Sequence, residues 1–228
     1  MKHLEQELRR LKDQVIDTMY LVRNQLHKAK ESFTEHDQDL AREIRHYETR
    51  VNANELSIDR DCENILALHS PVAIDLRFVI ASLKVNTQLE RMGDHADAIA
   101  GYVLKLDGPY DEELLKKLRF KEMFDTVLSM IDDAIHAFNF ENTKLARWVF
   151  GKDATANEIN RDADIIIAEY VRKNPEKIEK YLLLFSVIKK IERVGDLAKN
   201  VAEETIFYTE AKVLKHKKKM DSAKRKKN

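Results

Sequence analysis

The sequence predicts an all-α protein built as two tandem three-helix bundles related by an internal repeat. Three observations carry that expectation. Only 5 Gly and 3 Pro occur among 228 residues, too few breakers for the many turns of a sandwich, a barrel or an ordinary α/β fold. Apolar residues recur with helical spacing between the breaks. Short stretches of one half of the chain return, in order, in the other half.

Taken in order, the breaks outline six helices. The first spans about residues 3–32 and ends at Phe33. The second spans about 38–69, before Ser70-Pro71, and carries the apolar stripe Ile58, Cys62 and Ile65. The third, about 71–106, is near 36 residues long, roughly 54 Å at the helical rise. It runs to Gly108-Pro109 and carries the heptad-like seam Val85, Leu89, Met92, Ala96, Ile99 and Val103. The fourth spans about 111–139, with Phe138 in the place of Phe33. The fifth, about 142–173, opens with Leu145-Ala146-Arg147, which repeats Leu40-Ala41-Arg42 at an offset of 105. The sixth, about 175–211, follows Asn174-Pro175 and carries the seam Val187, Ile191, Val194, Ala198 and Val201. All three prolines are expected in first helical turns, where a missing N–H costs nothing. Long antiparallel helices with short turns make bundles. The expected divisions are residues 1–107, 108–211 and a basic tail, 212–228.

Composition narrows the function classes. Hydrophobic residues at 43% exclude disorder for most of the chain. A single cysteine excludes a disulfide scaffold and an all-cysteine metal site, and Cys62 on its apolar stripe reads as core. No apolar run reaches membrane-spanning length and the first residues do not read as a signal peptide, so a cytoplasmic protein is expected. The formal net charge is zero, but residues 212–228 carry nine Lys/Arg and one acid, a net +8 against −8 for the remainder. That tail reads either as a solvated, disordered terminus or as a sequence-blind contact for nucleic acid or an anionic membrane face. The glycines are isolated and no phosphate-cradling glycine loop is present.

The chemistry-bearing residues are acidic, and they are written twice. Leu89-Glu90-Arg91-Met92-Gly93-Asp94 recurs as Ile191-Glu192-Arg193-Val194-Gly195-Asp196, at an offset of 102. Measured from Val85, Glu90 and Asp94 fall at about 140° and 180° around the helix, away from the apolar seam. Four residues apart, each pair projects from one patch of helix surface. The second helix adds Glu48, Asn52, Glu55 and Asp59; its counterpart adds Asp153, Asn157, Asn160 and Asp164. Folding each helix pair at its turn brings Glu48 and Asn52 level with Glu90 and Asp94, and Asp153 and Asn157 level with Glu192 and Asp196. Asp97 and Asn200 extend the patches. Carboxylates gathered in this way repel one another unless a positive group sits among them, and oxygen donors suit Mg, Mn, Ca or Fe. The alternative is two solvated acidic faces with Arg91 and Arg193 as local partners. Gly93 and Gly195, inside the motif, each cost about 1 kcal/mol relative to Ala in a helix, which points to close helix contact.

These motifs, with Ser70-Pro71-Val72-Ala73-Ile74-Asp75-Leu76-Arg77, Val51-Asn52-Ala53 and Ile58-Asp59, resemble the PhoU family of phosphate-uptake accessory and regulatory proteins. The resemblance covers residues 1 to about 210 and leaves out the Lys-rich tail. It implies two symmetric three-helix bundles, a homodimer, and, as in some members, multinuclear metal clusters on E/D-x-x-x-D motifs. By that resemblance Glu55/Asp59, Glu90/Asp94 and Glu192/Asp196 are metal ligands for a divalent or trivalent ion (Fe, Mn, Mg, Ca or Zn). The fourth copy is degenerate, Asn160-x-x-x-Asp164, and Ala98 stands where the second half has the usual Asn200. The implied role is non-enzymatic: restraint of phosphate uptake and of the starvation response through the ATPase subunit of a phosphate ABC transporter and a sensor histidine kinase. Membrane contact is then peripheral, through partners, and no specific nucleic acid is involved.

Two other classes compete. A ferritin-like di-metal carboxylate oxidase needs Glu-x-x-His on two helices. The eight histidines supply only Glu43-Ile44-Arg45-His46 and the near miss Asp133-Ala134-Ile135-His136, neither inside the repeated acidic constellation. His46 and His95 read as solvated or capping side chains. A nucleic-acid binder would work through the tail against an acidic body, with no recognised reading motif.

Overall fold

The computed structural model describes residues 2–214, with side chains from His3 onward. The remaining tail, residues 215–228, lies outside the described residues, and with it most of the expected basic segment. The described chain is helical without a strand. Helix α1 (Lys2–Glu35) buries Leu11, Val15, Met19, Val22, Leu26, Ala29 and Phe33, a stripe with steps of three and four. Helix α2 (Gln38–His69) starts where the Asp37 carboxylate caps the Leu40 N–H at 2.9 Å. Its counterpart α6 (Thr143–Lys173) starts on Asn142, which caps the Leu145 N–H at 3.1 Å, in the same repeat register. Helices α3 (Ala73–Val103) and α7 (Ile178–Glu210) bury the two predicted seams.

Two boundaries differ from expectation. The predicted fourth helix is two helices, α4 (Glu112–Lys117) and α5 (Phe120–Asn139), broken at Arg119 with a left-handed φ of 51°. Leu118 and Phe120 are both 1% exposed. Two residues apart on one continuous helix they would point about 200° away from each other, so the break lets both enter the core. Arg119 is held there by Glu122 and Glu158. Of the prolines, only Pro175 stands in a first turn, that of a 3-10 turn leading into α7. Pro71 precedes α3 by two residues and Pro109 lies in the link before α4, which Asp111 caps.

Helices α1–α3 pack as one bundle and α5–α7 as the other; α3 against α7 and α1 against α5 join them. Polar pairs fix both joints as antiparallel. Along α1 and α5 these are Arg23–Asp132 at 2.9 Å and Lys30–Asp125 at 2.5 Å. Along α3 and α7 they are Lys84–Glu204 at 3.1 Å and Gln88–Asn200 at 2.9 Å. The halves are therefore related by an approximate two-fold axis with a continuous core. Phe33 of the first half stacks on Phe120 and Tyr110 of the second, ring centroids 4.9 and 5.0 Å apart. Cys62 is buried in this core. No described helix is long and apolar enough to cross a membrane.

Candidate functional site

Each α2–α3 and α6–α7 pair carries its acidic residues at mid-length, on the side of α3 or α7 opposite the seam. In the first half the side chains converge. Glu48 lies half-buried; its Oε2 accepts a hydrogen bond from Gln25 Nε2 at 3.3 Å, while its Oε1 is buried without a partner. Gln25 is 1% exposed and donates also to the Ile44 carbonyl, and its own Oε1 is unpartnered. Burial pushes the Glu48 carboxyl up to about 7, and the nearby charges of Asp94, Asp97 and Glu90 act in the same direction. Burial also raises Glu55, with Asp59 and Asp94 adding repulsion. Glu90 is raised by burial, then by Asp94 and Glu55. Asn86, 1% exposed, donates to Asp59 Oδ1 and to the Glu55 carbonyl, both at 2.9 Å. Asp97 is paired with Arg45 at 3.1 Å. Asn52 and Asp94 are exposed at the rim.

Gly93 permits this arrangement. A methyl group on it would lie 3.0 Å from Glu48 Oε2 and 3.2 Å from Val51 Cγ1, so any larger residue would press on the Glu48 carboxylate and Val51 across α3. Gly195 is different: the nearest atom to a methyl there is Val127 Cγ2 at 3.5 Å, an ordinary contact. The close approach expected of both glycines belongs to the first half.

In the second half Asp153, Glu192 and Asp196 come together around a cation of the chain itself. Lys199 Nζ lies 2.6 Å from Asp153 Oδ2 and 2.5 Å from Asp196 Oδ1. Asn157 Nδ2 donates to the same Asp153 oxygen at 2.6 Å, and Asp153 is 9% exposed. Burial lowers the Lys199 ammonium, but its hydrogen bonds to Asp153 and Asp196 outweigh that and leave it raised. Glu192 is raised by burial, then by Asp196 and Asp153, with Lys189 and Lys199 opposing. The remaining expected residues are not drawn in. Asp164 is exposed and accepts from the Ile165 N–H at 2.8 Å, and Asn200 donates to Gln88 of α3 across the joint between the halves.

Among the described residues no three His, Cys, Asp or Glu side chains are already gathered as a metal site. The donor chemistry of the first patch nevertheless fits a hard cation: oxygen donors throughout, three carboxyls raised by burial and repulsion, and an orphaned Glu48 oxygen. The second patch also has an orphaned oxygen, Asp153 Oδ1, but it does not fit a metal ion in the same way, because an ammonium group already bridges two of its carboxylates.

Three contributors were missed in the sequence. Gln25 and Asn86 sit on otherwise apolar stripes, where a buried polar side chain signals a specific partner. Lys199 occupies, at the offset of 102, the position of Asp97, so placing the repeats side by side displays the charge reversal. His95, read as solvated or capping, instead has a buried Nε2 without a partner. Burial, then the charges of Lys190, Arg193 and Arg91, push it down to about 4.

Fold and site define a class: a helical protein of two symmetric three-helix bundles, each presenting an acidic patch from its second and third helices. The PhoU domain matches this chain twice, over residues 8–103 and 120–205, and the chain belongs to the PhoU family. It is 33% identical over 214 residues to a phosphate-specific transport system accessory protein PhoU homolog of Aquifex aeolicus, covering 93% of this chain and 96% of that protein. It is 32% identical over 214 residues to PhoU homolog 1 of Thermotoga maritima, covering 93% and 91%. The crystal structure of PhoU from Pseudomonas aeruginosa superposes with a TM-score of 0.83 at 26% identity, covering 91% of this chain and 99% of that one. The phosphate transport system regulatory protein PhoU from Streptococcus pneumoniae gives 0.81 at 26% identity, covering 92% and 99%.

Proposed function

We propose that this chain is an accessory regulator of phosphate-specific transport and not an enzyme. It restrains phosphate uptake and the phosphate-starvation response when phosphate is plentiful. It does so in the cytoplasm, as a homodimer, by contact with the ATPase subunit of a phosphate ABC transporter and with a sensor histidine kinase. The observation that carries this reading is the double PhoU match, with relatives named as accessory proteins of phosphate-specific transport aligned over more than nine-tenths of the chain.

In this reading Glu48, Glu55, Glu90 and Asp94 hold a divalent or trivalent metal ion. When bound, that ion would supply the positive charge that relieves carboxylate repulsion. The chain does the rest. Gln25 holds one oxygen of Glu48 in place, Gly93 leaves the space for it, and Asn86 orients Asp59 while tying α2 to α3. Two rigid helix pairs then present fixed charged faces to a partner, which suits an adaptor whose work is recognition.

The test is phosphate uptake in a strain lacking this chain, grown with phosphate in excess. Uptake is expected to rise on deletion and to return to normal with the wild-type gene, while the Glu48→Gln/Glu90→Gln/Asp94→Asn variant fails to restore control. Unchanged uptake on deletion would refute the regulatory reading.

A further inference from the structure

The two patches are written as copies, yet their charges differ. Repeat register pairs Glu48 with Asp153, Glu55 with Asn160, Glu90 with Glu192, Asp94 with Asp196 and Asp97 with Lys199. Below the patches Gln25 pairs with Met130, which is fully buried. The first half therefore sets five carboxylates, of which Asp97 is paired with Arg45, over an amide, and the second sets three carboxylates and an ammonium over a thioether. Lys199 is no loose surface cation. Its side chain is 22% exposed, that of Asp153 is 12% exposed, and it bridges one residue from α6 and one from α7 at 2.6 and 2.5 Å. Asn157 completes the hold by donating to the Asp153 oxygen that Lys199 also contacts.

We infer that Lys199 is the resident cation of the second patch: its ammonium takes the place that a metal ion takes in the first, so the chain carries one metal-dependent half and one half that bridges two of its carboxylates with a cation of its own. This rests on the reading of the first patch as a metal site, and the physical reason is direct. A cation entering between Asp153 and Asp196 would sit within a few ångströms of Nζ, and like charges at that range repel strongly where water is partly excluded. Metal loading therefore adds a link between α2 and α3 alone, beyond those that Arg45–Asp97 and Asn86–Asp59 already make, while the Lys199 bridge joins α6 and α7 whether metal is present or not. A partner that reads metal state would read the first half.

The experiment measures Mn2+ bound per full-length chain by equilibrium dialysis, with melting temperature in EDTA and in Mn2+. Four proteins are compared: wild type, Lys199→Asp, Lys199→Met and Lys199→Arg. Lys199→Asp removes the ammonium, restores the carboxylate found at Asp97 and is expected to bind one further Mn2+ per chain than wild type. Lys199→Met is expected to melt lower in EDTA and to recover in Mn2+ by more than wild type gains. Lys199→Arg keeps the charge, controls for folding and is expected to match wild type. Unchanged stoichiometry in Lys199→Asp, with no Mn2+ recovery in Lys199→Met, would overturn the inference. So would a loss of wild-type Mn2+ on Glu192→Gln/Asp196→Asn substitution. The two readings separate cleanly: loss of wild-type binding in Glu90→Gln/Asp94→Asn reports on the first patch, and gain in the Lys199 variants reports on the second.

Discussion

Two glycines at equivalent positions should respond oppositely to the same substitution. Replacing a mid-helix glycine by alanine gains about 1 kcal/mol of helix propensity where a methyl group fits. At Gly195 the nearest atom to the new methyl is 3.5 Å away, so Gly195→Ala keeps most of that gain. At Gly93 the methyl meets Glu48 Oε2 at 3.0 Å and Val51 Cγ1 at 3.2 Å. Val51 is 1% exposed and packed in the core, so it must shift by a few tenths of an ångström against its neighbours, and overpacking of this kind costs about 1–3 kcal/mol. Glu48 must also turn from Gln25, losing a hydrogen bond worth about 1 kcal/mol. The gain is then cancelled or exceeded, and the two variants should differ by roughly 2 kcal/mol, or about 4–8 °C in melting temperature for a chain of this size. Urea unfolding followed by circular dichroism, in EDTA so that metal does not contribute, measures the difference. Equal shifts for the two variants would refute the argument that Glu48 is wedged against α3.

Two further outcomes follow from the charges. Glu48, raised to about 7 in the folded chain, binds its proton more tightly there than when unfolded; its ionisation therefore opposes folding above pH 7, and the penalty fades as pH falls toward the ordinary carboxylate range. His95, lowered to about 4, works the other way over nearly the same window: it favours folding above its ordinary value, and that contribution is lost as pH falls through about 4. The wild-type profile is thus flattened, and the informative quantity is the difference between Glu48→Gln and wild type. It should be on the order of 1–2 kcal/mol in favour of the variant at pH 8, allowing for solvent at the patch, shrink steadily as pH falls from about 7 and vanish below the ordinary carboxylate range, about pH 4; a difference that grows toward acid would contradict the assignment. At the joint between the halves, Arg23 forms a two-pronged pair with Asp132, at 2.9 and 3.1 Å. A double-mutant cycle with Arg23→Ala and Asp132→Ala should give a coupling of about 0.5–1 kcal/mol that shrinks in high salt, and zero coupling at low salt would remove the pair from the joint.

The fold was legible because its determinants are local and periodic. Apolar residues at steps of three and four mark the buried stripe of a helix whatever it packs against, and recurrence of Leu40-Ala41-Arg42 and of the glutamate-aspartate motif marks the tandem repeat. The capping residues Asp37 and Asn142 fall in the same register for the same reason. The break at Arg119 was not legible, because no glycine or proline announces it. It follows from a tertiary demand, that Leu118 and Phe120 both reach the core, and such a demand overrides helix propensity without leaving a local trace.

The site was legible in its carboxylates and hidden in what surrounds them. Spacing alone places Glu48, Glu90 and Asp94 at one level, because the distance along two antiparallel helices is fixed by the rise per residue. Spacing does not say which neighbour enters the patch from a third helix, so Gln25 on α1 was missed. Nor does it say whether Asn200 turns inward or, as found, across to Gln88. The two copies agree at Glu90 and Glu192 and at Asp94 and Asp196. The residues that set the electrostatics are those that disagree: Asp97 against Lys199, Glu55 against Asn160, Gln25 against Met130. The packing of two repeated bundles gives no physical reason for their patches to carry equal charge. A single lysine three residues beyond Asp196 on α7 reaches Asp153 and Asp196 together, because residues three apart share a helix face. That lysine places a cation of the chain itself between α6 and α7, at the position where the first half has Asp97, which is paired with Arg45 of α2.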